Sequence, residues 1–446
     1  MSPIRALQLV GWLLVLTVTG LHAQAPQVTT QPVPGAPSGS STLTLTLADA
    51  LSRARVNSPA FQAVLTQAGL AKEDRVQARA AMLPNIQYTN TFLYTQGNGA
   101  SIRYVANNGV HEYISQGIFQ EAIGFGSLPD YQRRVALEAA AKAKVEVASR
   151  GLVATVVQLF YGLLAAQERT RNVERATNEA QHFLDLSKKL EAGGEVAHSD
   201  VVKAQIQAND ASRQLQDTRL AEQNARLSLA VLVFPDFYQD FAVTNDLASL
   251  SPLPDRAVVE QLAKSNNPEL QAAFAVLKAA NKDVTVARAG HLPSLTVDFF
   301  YGIDALQFAT EDRSGFRNLG YSGAATLNIP IFSWGATQSK VKQAELQRRQ
   351  AQVELSSAQR VALADFQSFY AEAQTSFGQV DTLRNSADLA ADSLRLTTLR
   401  YQSGEATALE VVDAQNTLTS ALNGLHDGQV RYRLALANLQ TLTGQF

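Results

Sequence analysis

The chain has 446 residues, a net charge of −2 and no cysteine; 46% of its residues are hydrophobic and only 17% are charged. Without a basic excess it has nothing to neutralise phosphates with, which argues against a nucleic-acid partner. The lack of cysteine removes disulfide staples, thiolate zinc sites and thiol nucleophiles. Soluble domains carry about 25% charged residues, so much of this surface is something other than ordinary solvated surface.

At the N-terminus, Arg5 precedes a mostly apolar run from Ala6 to Leu21, with small residues at Ala23 and Ala25. This is the pattern of a secretory signal peptide, expected over residues 1–23. Cleavage after Ala23 is favoured because Pro26 would follow a cut after Ala25. Residues 24–42, rich in Pro, Gly, Ser and Thr, read as a flexible leader. Beyond it no uninterrupted apolar run reaches the roughly 18 residues of a membrane helix. The nearest, Leu152 to Ala166, contains Gln158 and reads as a buried helix face. A membrane crossing would therefore use strands.

The chain repeats itself. Residues 57–84 align with 266–293 at an offset of 209, with 11 of 28 positions identical. The register continues through Phe160-Tyr161 and Phe369-Tyr370. After one inserted residue it reaches Gly194-Glu195 and Gly404-Glu405. Two repeats are expected, 43–250 and 251–446, with the same order of elements.

Each repeat begins with a predicted helix of about 35 residues, 47–82 and 255–291. Leu-Pro at 83–84 and 292–293 ends it, since proline removes a donor and turns its predecessor away from helix. Strands 85–95 and 294–304 follow. Ile86, Tyr88, Phe92 and Tyr94 alternate with polar residues in the first, and Leu295, Val297, Phe299, Tyr301 and Ile303 in the second. About 11 alternating residues with aromatic ends suit a tilted membrane strand. The return strands, 110–121 and 319–331, alternate less cleanly; the segments between, 96–109 and 305–318, read as polar loops.

Long helices are expected from about Pro129 to Leu190 and from about Ala336 to Tyr401. Each would extend on the order of 95 Å. Leu363, Phe366, Tyr370, Ala373, Phe377 and Val380 space a coiled-coil seam. Gly193, Gly194 and Gly404 mark turns, and the chain returns as helices 199–233 and 407–443.

These residues resemble a known family. The Leu-Pro strand starts, Pro330-Ile331-Phe332-Ser333-Trp334-Gly335, and Arg400-Tyr401-x-x-Gly404 followed by Leu409-x-Val411-x-Asp413-Ala414-Gln415 are similar to TolC-type outer-membrane efflux channels, from about residue 43 to 445. The resemblance implies a homotrimer with an all-α periplasmic helical barrel and a transmembrane β-barrel. Each protomer would supply four strands to a 12-stranded barrel. It implies a cell outer membrane location with the helical barrel in the periplasm. It implies a passive exit channel of a tripartite efflux or type I secretion system, opening by rearrangement of the hairpin tips. Its partners would be a periplasmic adaptor, an inner-membrane transporter and outer-membrane lipid.

The resemblance also assigns residues. Glu410 and Asp413, three apart on the last helix, would be the aperture carboxylates. Acids are also common in the first turn of a helix for dipole reasons. Asp200 and Tyr401 would form a closed-state latch, although the arginine that often joins them is replaced by Ala406. A helix-end aromatic packing on its partner is the alternative for Tyr401. Gly193, Gly194 and Gly404 would mark tip turns that dock the adaptor, and Tyr88, Phe92, Tyr94, Phe299 and Tyr301 would face lipid. The competing reading is a soluble periplasmic coiled-coil scaffold or adaptor, which would not need aromatic alternating strands.

No enzyme signature is present: HExxH, GxSxG, P-loop and Rossmann patterns are absent. Histidines are scattered, and methionine occurs only at Met1 and Met82, so no metal site and no cofactor are expected. His111 and Glu112, adjacent on a strand, point to opposite faces.

Overall fold

The computed structural model describes residues 43–95 and 111–445. The expected signal segment, the leader and the loop 96–109 lie outside the described residues. Fourteen elements follow in chain order among those residues: β1 (Leu43–Leu45), α1 (Leu47–Asn57), α2 (Pro59–Ala80), β2 (Asn85–Tyr94), β3 (His111–Gly124), α3 (Ser127–Ala192) and α4 (His198–Val233). Then come β4 (Phe241–Val243), α5 (Arg256–Asn266), α6 (Pro268–Ala289), β5 (Ser294–Ala305), β6 (Leu319–Asn328), α7 (Ala336–Gln402) and α8 (Ala408–Thr443). The two runs have the same order. The start of α7 lies 209 residues after that of α3, and α8 lies 210 after α4.

The first helix of each run differs from expectation. Each is two helices, broken before Pro59 and before Pro268. Ser58 and Asn267 adopt extended backbone there and cap the next helix, accepting from Phe61 N and Leu270 N. The physical reason is the one that ends the helices at Pro84 and Pro293: a residue before proline is pushed out of the helical region, and a polar side chain there satisfies an orphan amide. The pair β1–β4 was not expected either.

Strands β2, β3, β5 and β6 form one antiparallel sheet in the order β2-β3-β5-β6. Its centre joins the two runs, with Gln120 opposite Asp298 and Phe119 opposite Phe299. β2 and β6 are left as edges. At the other end, α3 and α7 hold 66 and 67 residues, roughly 100 Å at the helical rise. α4 and α8 fold back along them.

The packing of α7 follows a seven-residue period. Phe366, Ala373, Val380, Ala387, Leu394 and Tyr401 recur every seven positions and all are buried, the spacing that keeps a seam facing its partner. Two of the six expected seam residues depart from this: Leu363 and Phe377 are 49% and 40% exposed. They lie beside the stripe's axis, and Phe377 meets the Tyr432 ring of α8 at 5.0 Å between centroids. α3 carries the most apolar helical stretch, long enough to cross a membrane by composition. There Val153, Val156, Val157, Phe160, Leu163 and Leu164 are buried against neighbouring helices, as expected of a core face.

Candidate functional site: the hairpin tips, the waist and the strand faces

The tips are built by two equivalent turns. α3 ends at Gly194 with φ +76, and Glu195 N donates back to Leu190 O at 2.9 Å; α7 ends at Gly404 with φ +78, and Glu405 N donates to Arg400 O at 2.8 Å. A left-handed residue after the helix closes such a cap and favours glycine. Gly193 has φ −77, and Ser403 occupies the matching place in α7, so only the second glycine is required by the turn.

Behind the turns lies a shared core of Phe183, Leu184, Val201, Ala204, Leu394, Tyr401, Ala408 and Val411. Tyr401 is the largest side chain in it, 2% exposed, with its ring centroid 5.0 Å from that of Phe183. Its hydroxyl meets Ser187 Oγ at 3.1 Å. The bond does tie the two hairpins, but through Ser187 of α3. Asp200 in this chain takes Lys203 at 3.3 Å instead.

Glu410 sits in a capping box at the start of α8. The Thr407 hydroxyl accepts from Glu410 N, and Glu410 Oε1 accepts from Thr407 N at 3.2 Å. Its other oxygen is 3.6 Å from Arg400 Nη1. Asp413, one turn on, is exposed and has no ion pair among the described residues. Arg400 and Ser187 were not singled out by sequence reasoning. The Arg400-Tyr401 pair was legible as a motif, but nothing local points from Tyr401 to a serine 214 positions away.

Farther from the tip, α4 and α8 meet along amides. Gln207 donates to Asn416 at 3.1 Å, and a cleft of about 280 Å³ is lined by Gln214, Gln415, Thr419 and Asn423. At the waist, the segment between β4 and α5 is held by polar contacts. Glu168 accepts from Arg171 and Asn245, both at 2.6 Å. Tyr161 donates to Asp246 at 3.0 Å, and Arg433 donates to the Asp246 carbonyl at 2.6 Å. Burial of the Tyr161 phenol, partly offset by Arg433 and reinforced by the Asp246 carboxylate, pushes its pKa up to about 12. None of these residues stood out in the sequence, since each partner comes from a different element.

In the sheet, register and alternation place Tyr88, Phe92, Tyr94, Phe299 and Tyr301 on one face. Tyr88 and Tyr301 flank Gly117, Phe92 faces Tyr113, Tyr94 stacks on His111, and Phe299 pairs with Phe119. All five are exposed, from 44% to 68%. A polar patch on that face is internally bonded: Tyr88 Oη and Asn90 Oδ1 both lie 2.7 Å from Ser115 Oγ. The opposite face carries Gln87, Thr89, Gln116, Gln120, Asp298 and Ser322, and Gln120 donates to Asp298 at 2.8 Å. Among the described residues, no three metal-ligating side chains converge.

This combination of an open-edged alternating sheet and two helical hairpins has known counterparts. The profile of the outer membrane efflux protein family matches residues 259–445. Outer membrane protein TolC of Vibrio cholerae is 26% identical over 406 residues, covering 89% of this chain and 90% of that protein. Along most of its length the chain is similar to TolC-type outer-membrane efflux proteins. Alkaline protease secretion protein AprF of Pseudomonas aeruginosa is 23% identical over 420 residues, covering 90% of this chain and 84% of that protein. Among solved structures, the CmeC outer membrane channel of Campylobacter jejuni superposes with a TM-score of 0.78 at 18% identity, covering 90% of this chain and 85% of that one. VceC of Vibrio cholerae gives 0.77 at 20%, covering 89% and 96%. TolC-type proteins lie in the outer membrane and perform no catalysis.

Proposed function

We propose that this protein is a passive exit channel of the outer membrane, serving a tripartite efflux or type I secretion system, and that it works as a homotrimer. One observation carries the reading: a four-stranded sheet with two unpaired edges and one aromatic face stands on helical hairpins roughly 100 Å long. Lipid does not tolerate open strand edges, and four strands are too few to enclose a lumen. Pairing β6 of one protomer with β2 of the next removes every edge and gives a 12-stranded barrel around three copies. In that arrangement Tyr88, Phe92, Tyr94, Phe299 and Tyr301 face lipid and the Gln120–Asp298 face lines the lumen.

The helices then continue the duct as a periplasmic barrel. Its tips carry Glu410 and Asp413 as aperture carboxylates, with Tyr401 and Asp200 as the latch positions. The turns at Gly193, Gly194 and Gly404 offer the docking end for a periplasmic adaptor, and an inner-membrane transporter supplies the energy. Relatives named for alkaline protease secretion, pyoverdine export and cobalt-zinc-cadmium resistance support an exporting role. We assign residues 1–23 as signal, 24–42 as leader, and 43–250 and 251–446 as the two repeats. Fractionation and planar-bilayer recording test the reading together. The protein should require detergent for release from outer membranes and should conduct after reconstitution; recovery in the soluble periplasm, or a sealed bilayer, overturns it.

A further inference from the structure

The waist holds a buried acid that the channel reading does not use. Between α3 and α8, Asp246 takes Tyr161 from one helix and Arg433 from the other. Seven residues on along α3, Glu168 takes Asn245; seven back along α8, His426 faces Glu168. The matching place in the second repeat is apolar. Phe377 stands 209 residues after Glu168 and packs on Tyr432, while Tyr370, the counterpart of Tyr161, donates to the Pro254 carbonyl at 3.1 Å. The fold therefore does not require a carboxylate at this position.

Glu168 is held from one side. Its Oε1 accepts from Arg171 and from Asn245, each at 2.6 Å. Its Oε2 faces His426 Nε2 at 3.9 Å, beyond hydrogen-bond reach. His426 Nδ1 is buried and has no hydrogen bond among the described residues, so no hydrogen bond at that nitrogen fixes the neutral ring where it stands. Other charges around the ring are already paired. On α3 and α8, Arg169 takes Asp427 at 3.1 Å, and Arg433 lies 3.5 Å from the Asp246 carboxylate. α4 presents Thr218 beside Asp427, and its Arg219 takes Glu174 at 2.8 Å. α7 brings Leu383 against Gly424 and Gly428, and its Asp381 and Arg384 take each other at 3.2 Å. Among the described residues, Glu168 is the one acid within 4.0 Å of the imidazole.

We infer that protonation of His426 clamps α8 onto α3 through Glu168, so that mild acid holds the hairpins in their resting arrangement. The inference rests on the exit-channel reading, in which opening moves one hairpin against the other. Histidine is the side chain whose charge changes between pH 5 and 8. Once charged, both ring nitrogens donate, and Nε2 closes on a carboxylate whose other oxygen is already fixed. Burial strengthens that attraction relative to water. A proton binds more tightly where Glu168 stands beside the ring than where the hairpins have parted, so acid favours rest.

The full channel, recorded in planar bilayers at about pH 8 and about pH 5, the limits of the histidine range, tests the clamp. Resting conductance of the native protein should fall by about fivefold on acidification. His426→Gln keeps an amide in place of the ring and should hold the alkaline value at both. Glu168→Gln, whose amide oxygen still accepts from Arg171 and Asn245, should do the same. His426→Lys, charged at both values, should stay at the acid level throughout. His198→Gln removes the tip imidazole paired with Glu191 and should keep the native fall. A native channel with level conductance, or a His426→Gln channel that falls as the native one does, overturns the clamp alone. Should His426→Gln fail to assemble, Glu168→Gln carries the same comparison, and a fall retained there overturns the clamp. Absence of conductance in the native protein at both values overturns the channel reading and the clamp with it.

Discussion

The Tyr401 hydroxyl and Ser187 Oγ, 3.1 Å apart in a buried position, join the second helical hairpin to the first within about two turns of the tip. A buried bond of this kind contributes about 1 kcal/mol, and stranding one partner costs somewhat more. Tyr401→Phe and Ser187→Ala should each raise resting conductance in bilayers, and the double variant should do little beyond either alone because both remove one bond. Asp200→Ala should add independently, as Asp200 shares no partner with Tyr401. Additive effects of Tyr401→Phe and Ser187→Ala would remove this bond from the closed state.

Glu410 has a structural duty as well as a charge. In the capping box its carboxylate holds the Thr407 amide, a task glutamine performs equally well. Glu410→Gln should therefore leave the tip folded while removing one charge per protomer, whereas Glu410→Ala should cost about 1 kcal/mol of local stability. With Asp413→Asn added, the reversal potential in a salt gradient should shift away from cation preference. An unmoved reversal potential in a correctly folded double variant would dissociate these acids from the aperture.

At the waist, pH reports on Tyr161. An unfolded tyrosine titrates near 10.0, while the Tyr161 phenol in the fold is pushed up to about 12 by burial. Between those values the folded chain keeps a proton that the unfolded chain has released, so stability falls with rising pH. The contribution is complete below pH 10 and is lost as pH climbs through about 12. Denaturant midpoints should decline across that window in the native protein, and Tyr161→Phe should flatten the decline. Equal slopes in both proteins would assign the alkaline loss to other groups.

Much of this architecture is local and hence legible. Alternation in 85–95 and 294–304 announces the strands, and Leu-Pro and glycine end the helices. The breaks at Pro59 and Pro268 were equally local: the rule that stops a helix before Pro84 also applies there, but an unbroken apolar periodicity concealed it. What could not be read is pairing across the chain. Tyr401 finds Ser187, and Asn245 finds Glu168, because two hairpins pack side by side, a relationship that no single segment encodes. Leu363 and Phe377 fit a seam by spacing, yet the buried stripe runs through Phe366, Ala373 and Val380. A seven-residue period fixes the repeat and leaves its phase to tertiary packing.

Gly302 is where the sheet joins the two repeats most tightly. Its φ is +157, and a Cβ built there would lie 2.2 Å from the Ser115 carbonyl oxygen and 2.4 Å from Gln116 Cα. Both are backbone atoms of β3, so no side-chain rotation relieves the contact. Gly302→Ala must push β3 and β5 apart at the Gln116–Gly302 pair, opening the sheet between its aromatic residues. In the proposed barrel this strand has lipid as its alternative environment, where unpaired amides cost several kcal/mol each. The variant should therefore reach the periplasm but fail to accumulate as a detergent-extractable oligomer. Gly323→Ala, whose added Cβ would lie 4.0 Å from the Asp298 carbonyl, should assemble normally. Normal assembly of Gly302→Ala would show that the β3–β5 seam has room this geometry denies it.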